Sequence, residues 1–289
     1  MERGLYFSKE LTMINEKLGL VGKLSFAIKK AKLKLFHPKE YDILNNVLFL
    51  TYTMGKVGSM SIDKTIASRI FYRTNFHVHF LTANGLKKHK EFNQTDSGYE
   101  LATIIEQARR SEPERRLKVV TVVRDPLSRD ISDLFQNYKI YLGDHNDSRM
   151  GLQKMLDYFK QFDHAYGLDW LDEEIKGYLN IDVYAHPFDP ALGYQIINDK
   201  NCDLLVFRLE DLNKTFEKAM LEFTGLPNWK LEKEVNTGED KSYAELYSAF
   251  KKEVVISDEV IKKIYDSKFF KHFYTDSEKM GFIKKWTRS

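Results

Sequence analysis

The sequence predicts an α/β fold with a central parallel sheet flanked by helices. Three short, apolar and β-branched runs, at 47–53, 117–123 and 204–207, have the character of buried strands. Each is followed by a turn and a helical pattern, and strands that alternate with helices are typical of a parallel sheet. The segments 75–81 and 181–184 are predicted as shorter strands. Ligands of such sheets bind beyond the carboxyl ends of the strands, so residues that follow a strand are the functional candidates.

The chain divides into a helical, lysine-rich N-terminal extension, residues 1–46, and one α/β domain, residues 47–289, which is helical from 243 onward. In the extension, apolar residues recur at helical spacing over 24–36, surrounded by lysines. This pattern fits a helix packed on the domain with a solvated basic face. It also fits a helix that lies on an anionic membrane surface.

Composition excludes several classes of protein. A net charge of +3 is too small to indicate a nucleic-acid binder, and 43% hydrophobic with 30% charged residues indicates an ordered globular chain. The lone Cys202 excludes an intrachain disulfide framework and a metal site with several cysteines. We see no secretory signal and no uncharged apolar run of roughly 20 residues. We therefore expect a cytoplasmic protein, either soluble or peripheral to the membrane.

The loop Lys56–Ser61 lies between the first buried strand and a helical pattern. Backbone N–H groups at a helix N-terminus bind anions, a glycine lets the backbone approach the ligand, and a lysine adds positive charge. The nucleotide-triphosphatase loop places Lys directly after its second glycine, whereas Lys56 precedes Gly58 here. An alternative is a plain turn with Ser59 as the helix cap.

A second anion-binding element follows the strand at 117–123. Arg124 stands at its end, and Ser132 lies in the helix that follows. An arginine at a strand end can clamp a phosphate with two N–H groups, and a serine can donate its hydroxyl to the same group. The alternatives are a salt bridge from Arg124 to Asp125 or Asp130 and an ordinary helical serine. Because both elements end at the same edge of the sheet, together they favour a ligand with two anionic groups.

These two motifs resemble those of sulfotransferases. Lys56–Ser61 is similar to their 5′-phosphosulfate loop, and the run from Val122 to Phe135, with Arg124 and Ser132 at the same spacing, is similar to their 3′-phosphate motif. The match is nearest to glycan sulfotransferases and to bacterial sulfotransferase-like proteins of capsular polysaccharide synthesis. It covers about residues 47–289, which would make this segment the catalytic domain of a P-loop-like sulfotransferase fold.

The resemblance implies 3′-phosphoadenosine 5′-phosphosulfate as the sulfuryl donor, with 3′-phosphoadenosine 5′-phosphate as its product, and it implies no metal. Lys56 would then stabilise the leaving phosphate, since sulfuryl transfer depends on positioning and on neutralising charge at that group. The donor-binding positions that the resemblance implies are Lys56, Gly58, Ser59, Met60 and Ser61 on the 5′ side, Arg124 and Ser132 on the 3′-phosphate, and Lys241 in a basic loop that closes over it.

The acceptor hydroxyl must lose a proton as it attacks, which requires a general base. His77 and His79 alternate on a predicted strand and therefore point to the same face. Glycan sulfotransferases carry Glu, one residue, then His at about this place, so His77 falls on the Glu and His79 on the His. Imidazole is suited to proton transfer near neutral pH. We favour His77 as the base, and structural histidines remain the alternative.

Three further expectations concern the surroundings of the site. Arg208, Glu210 and Asp211 are predicted to cap the next helix and to pair locally. His186 and Tyr194 are candidates for lining the acceptor pocket. The acceptor is predicted to be a saccharide hydroxyl, with a hydrophobic alcohol such as a sterol or lipid as the alternative. A magnesium-dependent nucleotide phosphotransferase and a non-catalytic glycan-binding protein are the rival functions.

Overall fold

The computed structural model describes residues 28, 30–69, 75–143, 148–232 and 244–286. Within them the chain forms one five-stranded sheet with strand order β2-β1-β3-β5-β4. The strands are β1 (Val47–Tyr52), β2 (Asn75–Val78), β3 (Arg116–Val123), β4 (Tyr194–Asn198) and β5 (Cys202–Arg208).

The inner strands run parallel and are buried, as the apolar runs predict. Strand β1 is parallel to β2 and to β3, and β3 is parallel to β5. Every residue of β1 and β5 is buried. Such strands are apolar throughout because helices cover both faces of the sheet. The prediction of an α/β fold with a largely parallel sheet is therefore confirmed.

Helices occupy most of the other described residues. In chain order they are α1 (Pro38–Asn45), α2 (Ser59–Arg69), α3 (Ala83–Asn93), α4 (Ser97–Ser111), α5 (Pro126–Gln136), α6 (Tyr138–Leu142), α7 (Ser148–Lys160), α8 (Ala165–Trp170), a π-helix (Leu171–Leu179), α9 (Leu212–Thr224), α10 (Ala244–Glu253), α11 (Asp258–Tyr265), α12 (Lys268–Phe273) and α13 (Asp276–Trp286). The last four confirm the predicted helical C-terminal region.

The sequence prediction was wrong at two places in the sheet. Residues 181–184 are not a strand, since Asp182 accepts a hydrogen bond from the Tyr184 amide and starts a short 3₁₀-helix, Val183–Ala185. The alternation of buried Ile181 and Val183 imitated a strand. Conversely β4 was missed. It runs antiparallel to β5 at the sheet edge, and the two strands are joined by a tight connection in which the Asp199 amide donates to the Cys202 carbonyl.

The N-terminal extension is described from residue 30, apart from the isolated Ile28. Residues 30–36 are helical, and Leu35 and Phe36 expose 74% and 68% of their surface. Pro38 stands at the start of α1, where its missing N–H costs no hydrogen bond. No helix in the described ranges is long and apolar enough to cross a membrane.

Candidate active site

The loop between β1 and α2 turns sharply through two left-handed residues. Lys56 and Gly58 both adopt left-handed conformations, with φ of 72° and 73°. A Cβ atom at Gly58 would lie 2.9 Å from Leu209 Cδ1, so both the φ angle and the space favour glycine. Helix α2 begins at Ser59, which leaves the first N–H groups of that helix without intrahelical partners. Ser59 and Ser61 are buried, whereas the Met60 side chain is 45% exposed.

Arg124 directly joins the two anion-binding elements that the sequence predicts. It follows β3, and its Nη1 donates a hydrogen bond of 2.8 Å to the Lys56 carbonyl. Burial lowers the pKa of the Arg124 guanidinium, while Glu210 and Asp125 raise it. Ser132 is partly buried on α5. The Lys56 loop and the Arg124 turn therefore lie side by side at the carboxyl edge of the sheet.

A network of acidic and phenolic groups fixes the turn after Arg124. The Asp125 side chain accepts hydrogen bonds from the Ser128 amide at 2.9 Å, which caps α5, and from the Tyr265 hydroxyl at 3.1 Å. Glu210 accepts from the Asp125 amide at 2.8 Å and from the Tyr274 hydroxyl at 3.0 Å. The C-terminal helices thus hold the Arg124 turn in place.

The expected role of the segment 208–212 is confirmed only in part. Arg208 pairs with Asp211 through its Nε at 2.6 Å, so the local ion pair forms. However, Asp211 makes no capping hydrogen bond to α9. Glu210 instead accepts a hydrogen bond from the Asp125 amide in the Arg124 turn. Arg208 forms a second ion pair with Glu278 at 2.9 Å. The helix-capping prediction was wrong because Arg208 engages the Asp211 carboxylate and because Glu210 binds the more distant Asp125 and Tyr274.

His77 and His79 lie together beside the Lys56 loop, as the alternation predicts. Their ring centroids are 5.0 Å apart in an edge-to-face arrangement. His77 Nε2 lies 2.9 Å from Ser59 Oγ, and His79 Nδ1 lies 2.7 Å from the Thr53 carbonyl oxygen. Burial lowers the pKa of His77, and burial followed by repulsion from His77 lowers the pKa of His79 to about 4. Both rings are therefore neutral near pH 7.

The two histidines differ in how clearly the structure defines the ring nitrogen that can accept a proton. A carbonyl oxygen only accepts hydrogen bonds, so Nδ1 of His79 carries the proton and donates to Thr53. The neutral His79 ring then has its lone pair on Nε2. The hydroxyl of Ser59 can donate or accept, so the contact of His77 Nε2 fits either tautomer. The structure therefore orients His79 as a proton acceptor more specifically than His77.

The buried Glu174 holds the segment that carries His79, and the sequence analysis missed it. Glu174 accepts hydrogen bonds from the Tyr52 hydroxyl, the Leu81 and Thr82 amides and the Thr82 hydroxyl. The predicted strand 75–81 ends at Val78, opposite Tyr52 at the end of β1, and Glu174 binds the backbone just beyond it. The neighbouring Trp170 donates to the His79 carbonyl at 3.0 Å. Glu174 lies in the π-helix, a rare element that is frequent at functional sites.

Lys285 is a second residue that the sequence analysis missed. Its Nζ donates a hydrogen bond of 3.0 Å to Ser128 Oγ in the first turn of α5. Burial lowers the pKa of Lys285, Asp125 raises it, and Arg124 and Lys251 lower it. A second cation therefore lies near Arg124 at the N-terminus of a helix, where anions bind favourably.

The remaining predicted residues are not brought to this site. Lys241 lies outside the described residues. Tyr194 is buried in β4 and its hydroxyl donates to Glu222 at 2.7 Å, so it does not line an open acceptor pocket. His186 is exposed and follows the 3₁₀-helix. We find no contact that connects His186 to Lys56 or to the histidine pair in the described part of the chain.

Comparison with known proteins gives one match. A family model described as "NKWYS: Putative capsular polysaccharide synthesis protein" matches residues 150–275. This range includes Trp170 and Glu174, but it does not reach Lys56, His79 or Arg124. No curated protein and no solved structure matches the chain. The chain is therefore similar, over less than half of its length, to proteins associated with capsular polysaccharide synthesis.

Proposed function

We propose that this protein is an O-sulfotransferase that moves a sulfuryl group from 3′-phosphoadenosine 5′-phosphosulfate to a saccharide hydroxyl. The observation that carries the proposal is the hydrogen bond from Arg124 to the Lys56 carbonyl. It joins two separate anion-binding elements, as a donor with a 5′-phosphosulfate and a 3′-phosphate requires. The saccharide acceptor is supported by the similarity to capsular polysaccharide synthesis proteins.

Each element has a role in this proposal. The α2 N-terminus with Lys56, Gly58 and Ser59 binds the 5′ side of the donor, and Arg124 binds the 3′-phosphate. Ser61, the Met60 amide, Ser132 and Lys241 are proposed as further donor contacts. Residues 47–289 form the catalytic domain in a sulfotransferase type of fold, and the basic extension 1–46 is proposed as a peripheral membrane contact on the cytoplasmic side.

The chemistry is an in-line displacement at sulfur. The acceptor oxygen forms the new S–O bond while the bond from sulfur to the 5′-phosphate oxygen breaks and leaves its electron pair on that phosphate. Lys56 neutralises the charge that develops there. The His79 Nε2 lone pair takes the proton of the acceptor hydroxyl. His77, which the resemblance favours, is the alternative base.

Separate titrations test the donor class. We expect 3′-phosphoadenosine 5′-phosphate to raise the melting temperature, and Lys56→Ala and Arg124→Ala to abolish most of that rise. Lys64→Ala, an exposed lysine on α2, is the matched control and should respond as the parent protein does. Stabilisation by ATP with Mg²⁺ alone would instead indicate a phosphotransferase and overturn the proposal.

Substitution of each histidine tests the base. His79→Gln retains a side-chain N–H for the Thr53 carbonyl but lacks a basic nitrogen. We expect it to reduce turnover by about 10²–10⁴-fold while the affinity for 3′-phosphoadenosine 5′-phosphate changes little. His77→Gln should reduce turnover less. A larger loss in His77→Gln would assign the base to His77.

A further inference from the structure

Asp133 on α5 is a buried carboxylate with an unusual set of neighbours. It accepts hydrogen bonds from the Tyr141 hydroxyl and the Asn137 amide group, both at 2.8 Å. Its Oδ1 lies 4.0 Å from Lys56 Nζ, and its Oδ2 lies 3.4 Å from Arg129 Nη2. Asp133 is therefore fixed on two sides by uncharged donors and faces two cations.

Arg129 has its own counter-ion. Its Nη1 pairs with Asp130, its Nε donates to the Gly55 carbonyl at 3.3 Å, and its guanidinium lies 4.4 Å from the ring centroid of Tyr166. Both Arg129 and Asp130 are almost completely buried. Asp130, which also contacts His164 Nδ1 at 2.7 Å, lies nearer to Arg129 than Asp133 does, so the charge of Asp133 is shared between Arg129 and Lys56.

The contact between Lys56 and Asp133 is an ion pair without a good hydrogen bond. Their side chains are only 15% and 11% exposed, yet the distance of 4.0 Å is well beyond the roughly 2.7–2.9 Å of a charge-assisted hydrogen bond. A lysine stem rotates easily, whereas Tyr141, Asn137 and Arg129 hold Asp133 in place. An arriving anion would therefore move Lys56 and leave Asp133 where it is.

We propose that Asp133 is a positioning residue that holds Lys56 in the donor-free protein and takes it back from the 5′-phosphate when the product leaves. The proposal rests on the proposed function of Lys56. Asp133 competes with the phosphate for the same ammonium group, so it weakens the binding of the anionic product. Its effect on affinity is thus opposite to that of an ordinary structural residue, whose loss weakens binding.

A double-mutant cycle between Asp133 and Lys56 tests this inference. Calorimetry would measure the dissociation constants of 3′-phosphoadenosine 5′-phosphate and of inorganic pyrophosphate for the parent protein, Asp133→Asn, Lys56→Ala and the double variant. Asparagine still accepts a hydrogen bond from Tyr141, and Asp133→Ser is a second neutral variant if Asp133→Asn does not fold. We expect Asp133→Asn to bind the nucleotide about three- to tenfold more tightly, and to have no such effect in the Lys56→Ala background.

A control variant tests for an effect of net charge, and several outcomes would contradict one or both proposals. Asp157→Asn removes one exposed carboxylate from α7 and should leave affinity unchanged, which excludes a mere effect of net charge. The inference is overturned if Asp133→Asn binds less tightly or equally, or if the gain persists without Lys56. If the parent protein binds pyrophosphate but not the nucleotide, the proposed function fails and the pyrophosphate cycle still decides the role of Asp133. If the parent protein binds neither the nucleotide nor pyrophosphate, both proposals are overturned.

Discussion

His79 should make the stability of this protein depend on pH in a predictable direction. Its pKa falls from 6.5 to about 4 in the folded state, chiefly because burial disfavours the charged ring. The unfolded chain therefore binds more protons than the folded chain between these two values. Where the unfolded state binds more protons, the free energy of unfolding rises with pH. This contribution is fully present above pH 6.5 and is lost as the pH falls toward 4.

The magnitude of this contribution to the free energy of unfolding follows from the size of the pKa change. Each tenfold change in a proton-binding constant corresponds to about 1.36 kcal/mol, so a pKa lowered from 6.5 to about 4 corresponds to about 3 kcal/mol. His79→Gln cannot be protonated and should lack this dependence. The variant and the parent protein share all other titrating groups, so the difference between them reports the protonation of His79 together with its coupling to His77.

Urea unfolding at several pH values between 4 and 7.5 would measure the effect. As the pH falls through this range, we expect the free energy of unfolding of the parent protein to fall by about 3 kcal/mol more than that of His79→Gln. His186→Gln, at an exposed histidine, should follow the parent protein. If His79→Gln shows the same pH dependence as the parent protein, His79 is not held as a neutral ring, and the argument that it serves as an oriented base fails.

Three further substitutions test the architecture of the site. Lys285→Met should weaken binding of 3′-phosphoadenosine 5′-phosphate about tenfold by calorimetry, since it removes one charge-assisted donor near Arg124, and an unchanged affinity would exclude Lys285 from the donor site. Gly58→Ala should lower the free energy of unfolding, measured in urea, by about 1–2 kcal/mol, because φ at this position is 73° and the added Cβ would meet Leu209. A variant as stable as the parent protein would contradict that geometry. Glu174→Gln should cost about 1–3 kcal/mol in the same assay, since an amide cannot accept all four hydrogen bonds, and equal stability would refute the role given to this carboxylate.

Local patterns in the sequence predict the parts of the site that follow strands. Arg124 and the Lys56 loop lie beyond apolar runs, and parallel strands end at one edge of a sheet, so their proximity could be expected without coordinates. The alternation of His77 and His79 likewise predicts that both rings share a face. These inferences succeed because each depends on a short segment and on the regular geometry of strands.

The contacts that determine how these residues act come from distant parts of the chain. Asp133 meets Lys56, and Lys285 meets Ser128 across 157 residues, through tertiary packing that no local period reveals. Glu174 likewise binds the Leu81 and Thr82 amides beyond β2 from the π-helix. Preference for His79 over His77 also rests on one such contact, the hydrogen bond to the Thr53 carbonyl.

Transfer of a radioactive sulfuryl group tests the central claim most directly. The protein would be incubated with labelled 3′-phosphoadenosine 5′-phosphosulfate and a soluble polysaccharide, beside a parallel reaction with labelled ATP and Mg²⁺. We predict that the sulfuryl label enters the polysaccharide with the parent protein and that Lys56→Ala loses this activity. Label transferred only from ATP, or sulfuryl transfer that persists in Lys56→Ala, would contradict the account.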